Sequence, residues 1–220
     1  MSLLVSVSGA QSTGKTTLLE GVNSTLQLPV DEFKVARAVL EEFGEGLYDI
    51  LKSEVKTIKF QEEILRQKTE HDSKLKGELD EFIFVERCPA DLFAFAYTWR
   101  EHFKKPSYLS WLNHYRIKCE QAMKIYDISI LIHPGAFSHS DDGIRAKADT
   151  QQEVDTALSG FLARHWMDVN FAKPRFHLHQ MYVGGIDERL AEVKSALTDG
   201  KKYLNYYENL LKSLGSSTSV

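Results

Sequence analysis

Apolar residues recur along this chain in two rhythms. Short runs of four to six, Leu3 to Ser8, FIFVE at 82–86 and ISILIH at 128–133, have the length and β-branched content of buried strands. Longer stretches without proline or glycine, Lys15 to Leu26 and above all EVKTIKFQEEILRQKTEHDSKLK at 54–76, are rich in helix formers and predict helices. A strand over Leu28 to Phe33 is weakened by Pro29. HQMYVGG at 179–185 reads as the last strand, with ERLAEVKSAL and KKYLNYYENLLKSL as two terminal helices. Strand and helix alternate, so the expected class is α/β: a parallel sheet flanked by helices in three layers. The organisation predicted is one domain over 1–214 and a disordered tail at 215–220.

Composition narrows the function classes. With 43% hydrophobic and 26% charged residues among 220, the chain is a folded globular protein. Its net charge of -4 gives no global attraction for DNA or acidic membranes, so a nucleic-acid surface has to be regional. Cys88 and Cys119 are too few for a disulfide framework, which suits reduced thiols and a cytoplasmic location. The apolar run at 3–7 is too short for a signal peptide, and nothing approaches the roughly 20 apolar residues of a membrane span.

SVSGAQSTGKTT at 6–17 changes the picture most. Gly9, Gly14, Lys15 and Thr16 satisfy G-x-x-x-x-G-K-[ST] between a predicted strand and a predicted helix, the context this phosphate-binding loop requires. Glycines let successive N–H groups turn inward, the helix start adds positive partial charge, Lys15 meets the outer phosphates, and Thr16 ligates magnesium. Gln11, Ser12, Thr13 and Thr17 complete the expected nucleotide contacts, with ATP and Mg2+ as cofactors and a three-layer P-loop NTPase fold as the scaffold. The plain alternative is a glycine turn.

The loop leaves kinase, switch or motor, and ligase chemistry open. No later strand ends in the aspartate that a switch or motor uses for magnesium. FIFVE ends in Glu86-Arg87, a carboxylate for the acceptor hydroxyl or the metal and a guanidinium for phosphate charge, or simply a surface ion pair. The second strand end carries Asp31 and Glu32, with Arg37 beyond; Asp31 is the first choice for the proton-accepting carboxylate and Glu32 the second, against a solvated acidic loop. SHSDDGIRAKAD at 138–149, within a polar segment of about 134–150, reads as a lid that carries Arg145, with Lys147 two residues on, or as an ordinary charged loop. His133 is either a satisfied strand-end histidine or a substrate contact.

Residues 97–118 interleave six aromatics with Arg100, Lys104, Lys105, Arg116 and Lys118, against one acid. Three readings compete: single-stranded or flipped-out DNA, a free nucleoside or nucleotide, and two amphipathic helices with Tyr97, Trp111 and Tyr115 in the core.

GAQSTGKTTL, DEFKVAR, FQEEILRQ, FVERCPADLFAFAY, YDISILI, DDGIR and VGGIDERL, in this order over residues 3–197, resemble P-loop kinases of the ribosylnicotinamide-kinase-like and deoxynucleoside-kinase-like group, AAA-type nucleotide kinases common in bacteriophages. The resemblance implies that Gln61 reads the base, that Glu86 and Arg87 handle the acceptor group with Arg37 and Asp91 nearby, and that Arg145 closes on the transferring phosphoryl. VGGIDERL resembles the adenine loop, making Gly184, Gly185 and Asp187 nucleotide contacts and Arg189 a base-stacking residue. The expected activity is transfer of the ATP γ-phosphoryl group to a nucleoside or (deoxy)nucleotide. The alternatives are phosphorylation of a modified base of the 5-hydroxymethyluracil type in phage DNA, with 97–118 on the DNA, and a regulatory ATPase module. A homodimer is kept open.

Overall fold

The computed structural model describes residues 2–134, 148–172, 176–182 and 184–215. Strands β1 (Leu3–Ser8), β2 (Val30–Asp31), β3 (Phe82–Glu86), β4 (Ile128–Ile132) and β5 (His177–Met181) form one sheet in the order β2-β3-β1-β4-β5, every pair parallel. The intervening helices are α1 (Lys15–Leu26), α2 (Val35–Phe43), α3 (Leu47–Leu51), α4 (Glu54–Leu75), α5 (Pro89–Thr98), α6 (Arg100–Phe103), α7 (Pro106–Ala122), α8 (Ala148–Ala172) and α9 (Ile186–Gly215).

Side-chain alternation along the strands creates the three layers. Leu4, Ile83, Val85 and Leu131 face one core, built mainly from α4, α5, α7 and α8, while Val5, Val7, Phe84, Ile130 and Ile132 face another under α1 and α9. Both faces of the sheet are covered, as βαβ crossovers demand. β1 lies between β3 and β4, so the chain order reverses across it and the loop after β1 sits at the topological switch point where open α/β sheets bind ligands. No helix among the described residues is long and apolar enough to cross a membrane.

Several elements depart from the expected boundaries. β2 shrinks to two residues at the sheet edge; Pro29 has no N–H for a ladder, though its carbonyl accepts from Phe84 N at 2.9 Å. β5 begins and ends earlier than predicted, at His177–Met181, pairing in register from Ile128↔His177 to Ile132↔Met181. One helix, α9, replaces the two expected at the C-terminus. It runs through Gly200 because it crosses Ile128 so closely that a Cβ there would lie 2.6 Å from Ile128 Cδ1. Gly215 closes α9 rather than opening a tail, and 216–220 lies outside the described residues. Residues 148–150, assigned to the lid, are the first turn of α8, and 135–147 lies outside the described residues.

His165 on α8 packs edge-on against Phe176, ring centroids 5.0 Å apart, and is only 4% exposed. Burial lowers its pKa from 6.5 to about 4; Asp168 opposes this weakly and Lys124 adds to it. The folded-state pKa lies below the unfolded one, so the contribution is present above about pH 6.5 and is lost as pH falls toward 4. Linkage puts it at about 3 kcal/mol. Urea titrations from pH 7.5 to 4 are expected to show this decline, and His165→Phe is expected to flatten it; equal pH slopes for both proteins would refute the assignment.

Candidate active site

The loop between β1 and α1 is shaped by three residues of left-handed backbone: Gly9 at φ 150°, Ser12 at 57° and Gly14 at 80°. A side chain at Gly9 would also collide with the next strand, its Cβ 2.6 Å from the Ile132 carbonyl oxygen and 2.9 Å from Thr13 Oγ1. Gly14 caps α1, whose first turn holds neither a capping side-chain hydrogen bond nor an acid, and so keeps its amide donors and positive end for an anion. Lys15 is buried, its Nζ donating to Gly9 O at 2.9 Å and Ala10 O at 2.6 Å.

Three distant side chains hold this loop. Asp91 of α5 accepts from Gly9 N at 3.2 Å and Ser8 Oγ at 2.7 Å; Gln151 of α8 donates to Gln11 O at 2.6 Å; Arg189 of α9 donates to Thr13 O at 2.7 Å. Asp91, expected against the substrate, is instead fully buried, because Cys88 N at 2.9 Å uses the same carboxylate as the loop does. Arg189, expected to stack on the base, is 1% exposed and turned under the loop; burial lowers its pKa. Cys88 lies beside the same carboxylate, and burial together with the Asp91 charge pushes its thiol up to about 12, so it is an inert packing group.

Glu86 and Arg87 stand next to the loop because β3 pairs with β1 in the register Val7↔Glu86, with Arg87 N donating to Val7 O at 2.9 Å. Partial burial raises the Glu86 pKa, but the hydrogen bond and charge of Lys34, with Arg87 and Lys15 behind them, outweigh it and carry the carboxyl below its ordinary value. The Lys34 ion pair therefore engages the carboxylate expected to hold the metal. Lys34 lies within the DEFKVAR segment, in which only Asp31, Glu32 and Arg37 were read as site residues. Arg87 adopts φ 65°, and its guanidinium lies 4.8 Å from the Phe95 ring centroid and 3.7 Å from Asp91, with a buried Nη1 that makes no hydrogen bond among the described residues.

Thr16, Asp31, Glu32 and Lys34 line one cavity of about 330 Å³. A hydroxyl and two carboxylates form an all-oxygen set of the kind magnesium takes, so these residues fit that ion. Asp31 has both oxygens engaged, by His71 Nε2 at 2.9 Å and Phe33 N at 3.2 Å, whereas Glu32 is exposed. Glu32 is thus the more accessible of the two carboxylates. Thr17 is exposed on α1, one residue past Thr16.

The remaining expected contacts divide sharply. Arg37 points into solvent and pairs with Glu41 one turn along α2. Gln61 is 6% exposed on α4, and its backbone carbonyl accepts from Tyr115 OH at 3.0 Å, so it belongs to the α4–α7 packing. Gly184 and Gly185 precede α9, and Asp187 is exposed in its first turn. His133 is satisfied by Asp155 at 3.1 Å and Gln180 at 3.1 Å and stacks on Tyr182. Arg145 and Lys147 lie outside the described residues.

Segment 97–118 is largely helical, with some of its aromatic rings in the core and others only partly buried. Tyr108 and Tyr115 are fully buried, stacked in series with Trp111, while Lys105 and Lys118 pair with Glu54 and Glu62 of α4 at 3.2 and 2.8 Å. Arg116 pairs with Glu120. The Lys105 and Lys118 ion pairs join α7 to α4 through exposed lysines, while Tyr97, Arg100 and Arg116 line a cavity of about 620 Å³ with Phe93, Glu120 and Arg164.

The sequence model of the AAA domain family matches residues 4–175. A search of curated proteins by sequence finds no match. By fold, the chain is similar to NadR protein in complex with NR, at 16% identity and TM-score 0.55 over 89% of this chain and 50% of that one. It thus spans half the length of that relative. It is also similar to deoxyadenosine kinase from M. mycoides with the products dCMP and a flexible dCDP bound, at 15% identity and TM-score 0.54 over 96% and 100% of the two chains. A thymidylate kinase from Candida albicans aligns at 12% identity and TM-score 0.50 over 92% and 93%. At such identities the likeness establishes the architecture, a P-loop kinase fold.

Proposed function

Because this chain belongs to the AAA domain family, we propose that its P-loop binds ATP with magnesium and that the γ-phosphoryl group passes to the hydroxyl of a nucleoside or nucleotide. The observation that carries this reading is the placement of Glu86-Arg87 on the strand beside the loop, within the field of Lys15. A carboxylate and a guanidinium side by side there can serve an acceptor hydroxyl and the developing phosphate charge together.

In this mechanism the loop amides and Lys15 hold the triphosphate, and Thr16 would supply a hydroxyl ligand to magnesium, which neutralises phosphate charge. Arg87 donates to the transferring phosphoryl oxygens as they approach the β3 end. Glu32 orients the acceptor hydroxyl and takes its proton, while Asp31, locked by His71, keeps the β2 end in place. Arg145, from the DGIR resemblance, is the candidate for closure over the phosphates. The names of the similar structures, a deoxyadenosine kinase, a thymidylate kinase and NadR with NR, support a nucleoside-type acceptor. The modified-base alternative keeps only its resemblance, since the basic residues of 97–118 are largely engaged with acids.

Incubation with γ-labelled ATP and a panel of nucleosides, nucleotides and hydroxymethylated DNA tests the proposal. Label is expected in a nucleoside or nucleotide product; label in the DNA selects the alternative reading, and release of inorganic phosphate alone, unaffected by every acceptor, would reject the kinase assignment.

A further inference from the structure

Peptide units of the phosphate loop are held from outside by side chains of two helices far away in sequence. Gln151 of α8 donates to the carbonyl of Gln11, and Arg189 of α9 donates to the carbonyl of Thr13. In a planar trans peptide the carbonyl of one residue and the N–H of the next point in opposite directions. A donor that draws the Gln11 carbonyl toward α8 therefore turns the Ser12 N–H the other way, and one that draws the Thr13 carbonyl toward α9 does the same for the Gly14 N–H. Ser12 and Gly14 are also the residues of left-handed backbone that let these alternate units rotate. Successive amides aimed to one side form an anion-binding concavity.

We infer that Arg189 and Gln151 are positioning residues of the phosphate site: they act through the carbonyls of Thr13 and Gln11 to aim the Gly14 and Ser12 amides at the phosphates. This rests on the reading of the P-loop as a nucleoside triphosphate site. Arg189 is the stronger of the two. It is fully charged at neutral pH, 1% exposed, and anchored at the start of α9, where Leu190 and Ile186 close over Gly21 of α1. Its hydrogen bond to the loop is therefore charge-assisted and shielded from water, whereas Gln151 offers a neutral amide at a half-buried position.

The full chain with Arg189→Met, Arg189→Lys and Gln151→Ala allows a direct test by calorimetric titration with MgATP and by amide NMR. Arg189→Met is expected to weaken MgATP binding by about 10- to 100-fold, the usual range for losing a charged hydrogen bond. It should also abolish the MgATP-induced shift of the Gly14 amide resonance while that of Thr16 persists. Arg189→Lys should restore part of both, and Gln151→Ala should weaken binding about fivefold with the change centred on Ser12. Affinities within twofold of the native chain, or weaker binding with the Gly14 and Ser12 shifts intact, would overturn the assignment. Should Arg189→Met not fold, Gln151→Ala decides by the same two readouts. If the native chain itself fails to bind MgATP, the P-loop reading falls, and this assignment with it.

Discussion

Lys15→Ala is expected to lower phosphoryl transfer by at least about 10³-fold, the scale on which fixed charges aimed at a developing oxyanion contribute. The reason is positional. Lys15 follows Gly14 at the start of α1, and its Nζ is held against Gly9 O and Ala10 O, inside the loop whose amides face the phosphates. Losing the ammonium removes the one loop side chain whose charge opposes the triphosphate. Melting temperature should fall by only a few degrees, because the helix and strand flanking the loop retain their packing. Turnover of labelled ATP beside a thermal melt separates the two effects, and near-native turnover in a folded variant would take the P-loop out of the chemistry.

Asp91→Ala is expected to cost about 3–5 kcal/mol of stability, the penalty for removing one partner from a buried charged network. Ser8 Oγ, Gly9 N and Cys88 N would lose their acceptor together, and Arg87 would lose its nearest carboxylate. For a chain of this size that corresponds to a fall of about 6–20 °C in melting temperature. MgATP affinity should drop too, since Gly9 opens the loop. A melt within about 2 °C of the native protein would show that the carboxylate carries no such network.

What the sequence made legible follows the range of the interactions involved. β1, the loop and α1 are contiguous, and their strand, glycines and helix start are each specified locally, so their boundaries match. FIFVE needed only its own apolar run. The shortened β2 and the earlier β5 depend on which neighbour each strand meets, information spread over other parts of the chain. α2 and α3 were not read at all, their segment being split by Gly44 and Gly46. At the site, the β1–β3 pairing brings the loop and Glu86-Arg87, both read from motifs, next to each other. The resemblance put Asp91 near the substrate and Arg189 on the base; both are buried, and only the fold shows the loop atoms they serve. Gln151, beyond the lid as drawn, carried no motif, and Lys34 gave no signal beyond lying near Asp31 and Glu32.

The pairing of β1 also sets a timetable for synthesis. Its partners are residues 82–86 and 128–131, so β1 has to wait for β3, and for β4 well beyond it, before it is paired on both sides. At about 5–20 residues per second, the segment carrying Lys15 would wait on the order of ten seconds before β4 emerges. During that interval an apolar strand is available to chaperones or to other nascent chains, and slow parallel pairing prolongs it. The phosphate loop, made before both strands that flank β1, becomes competent only after they have been added.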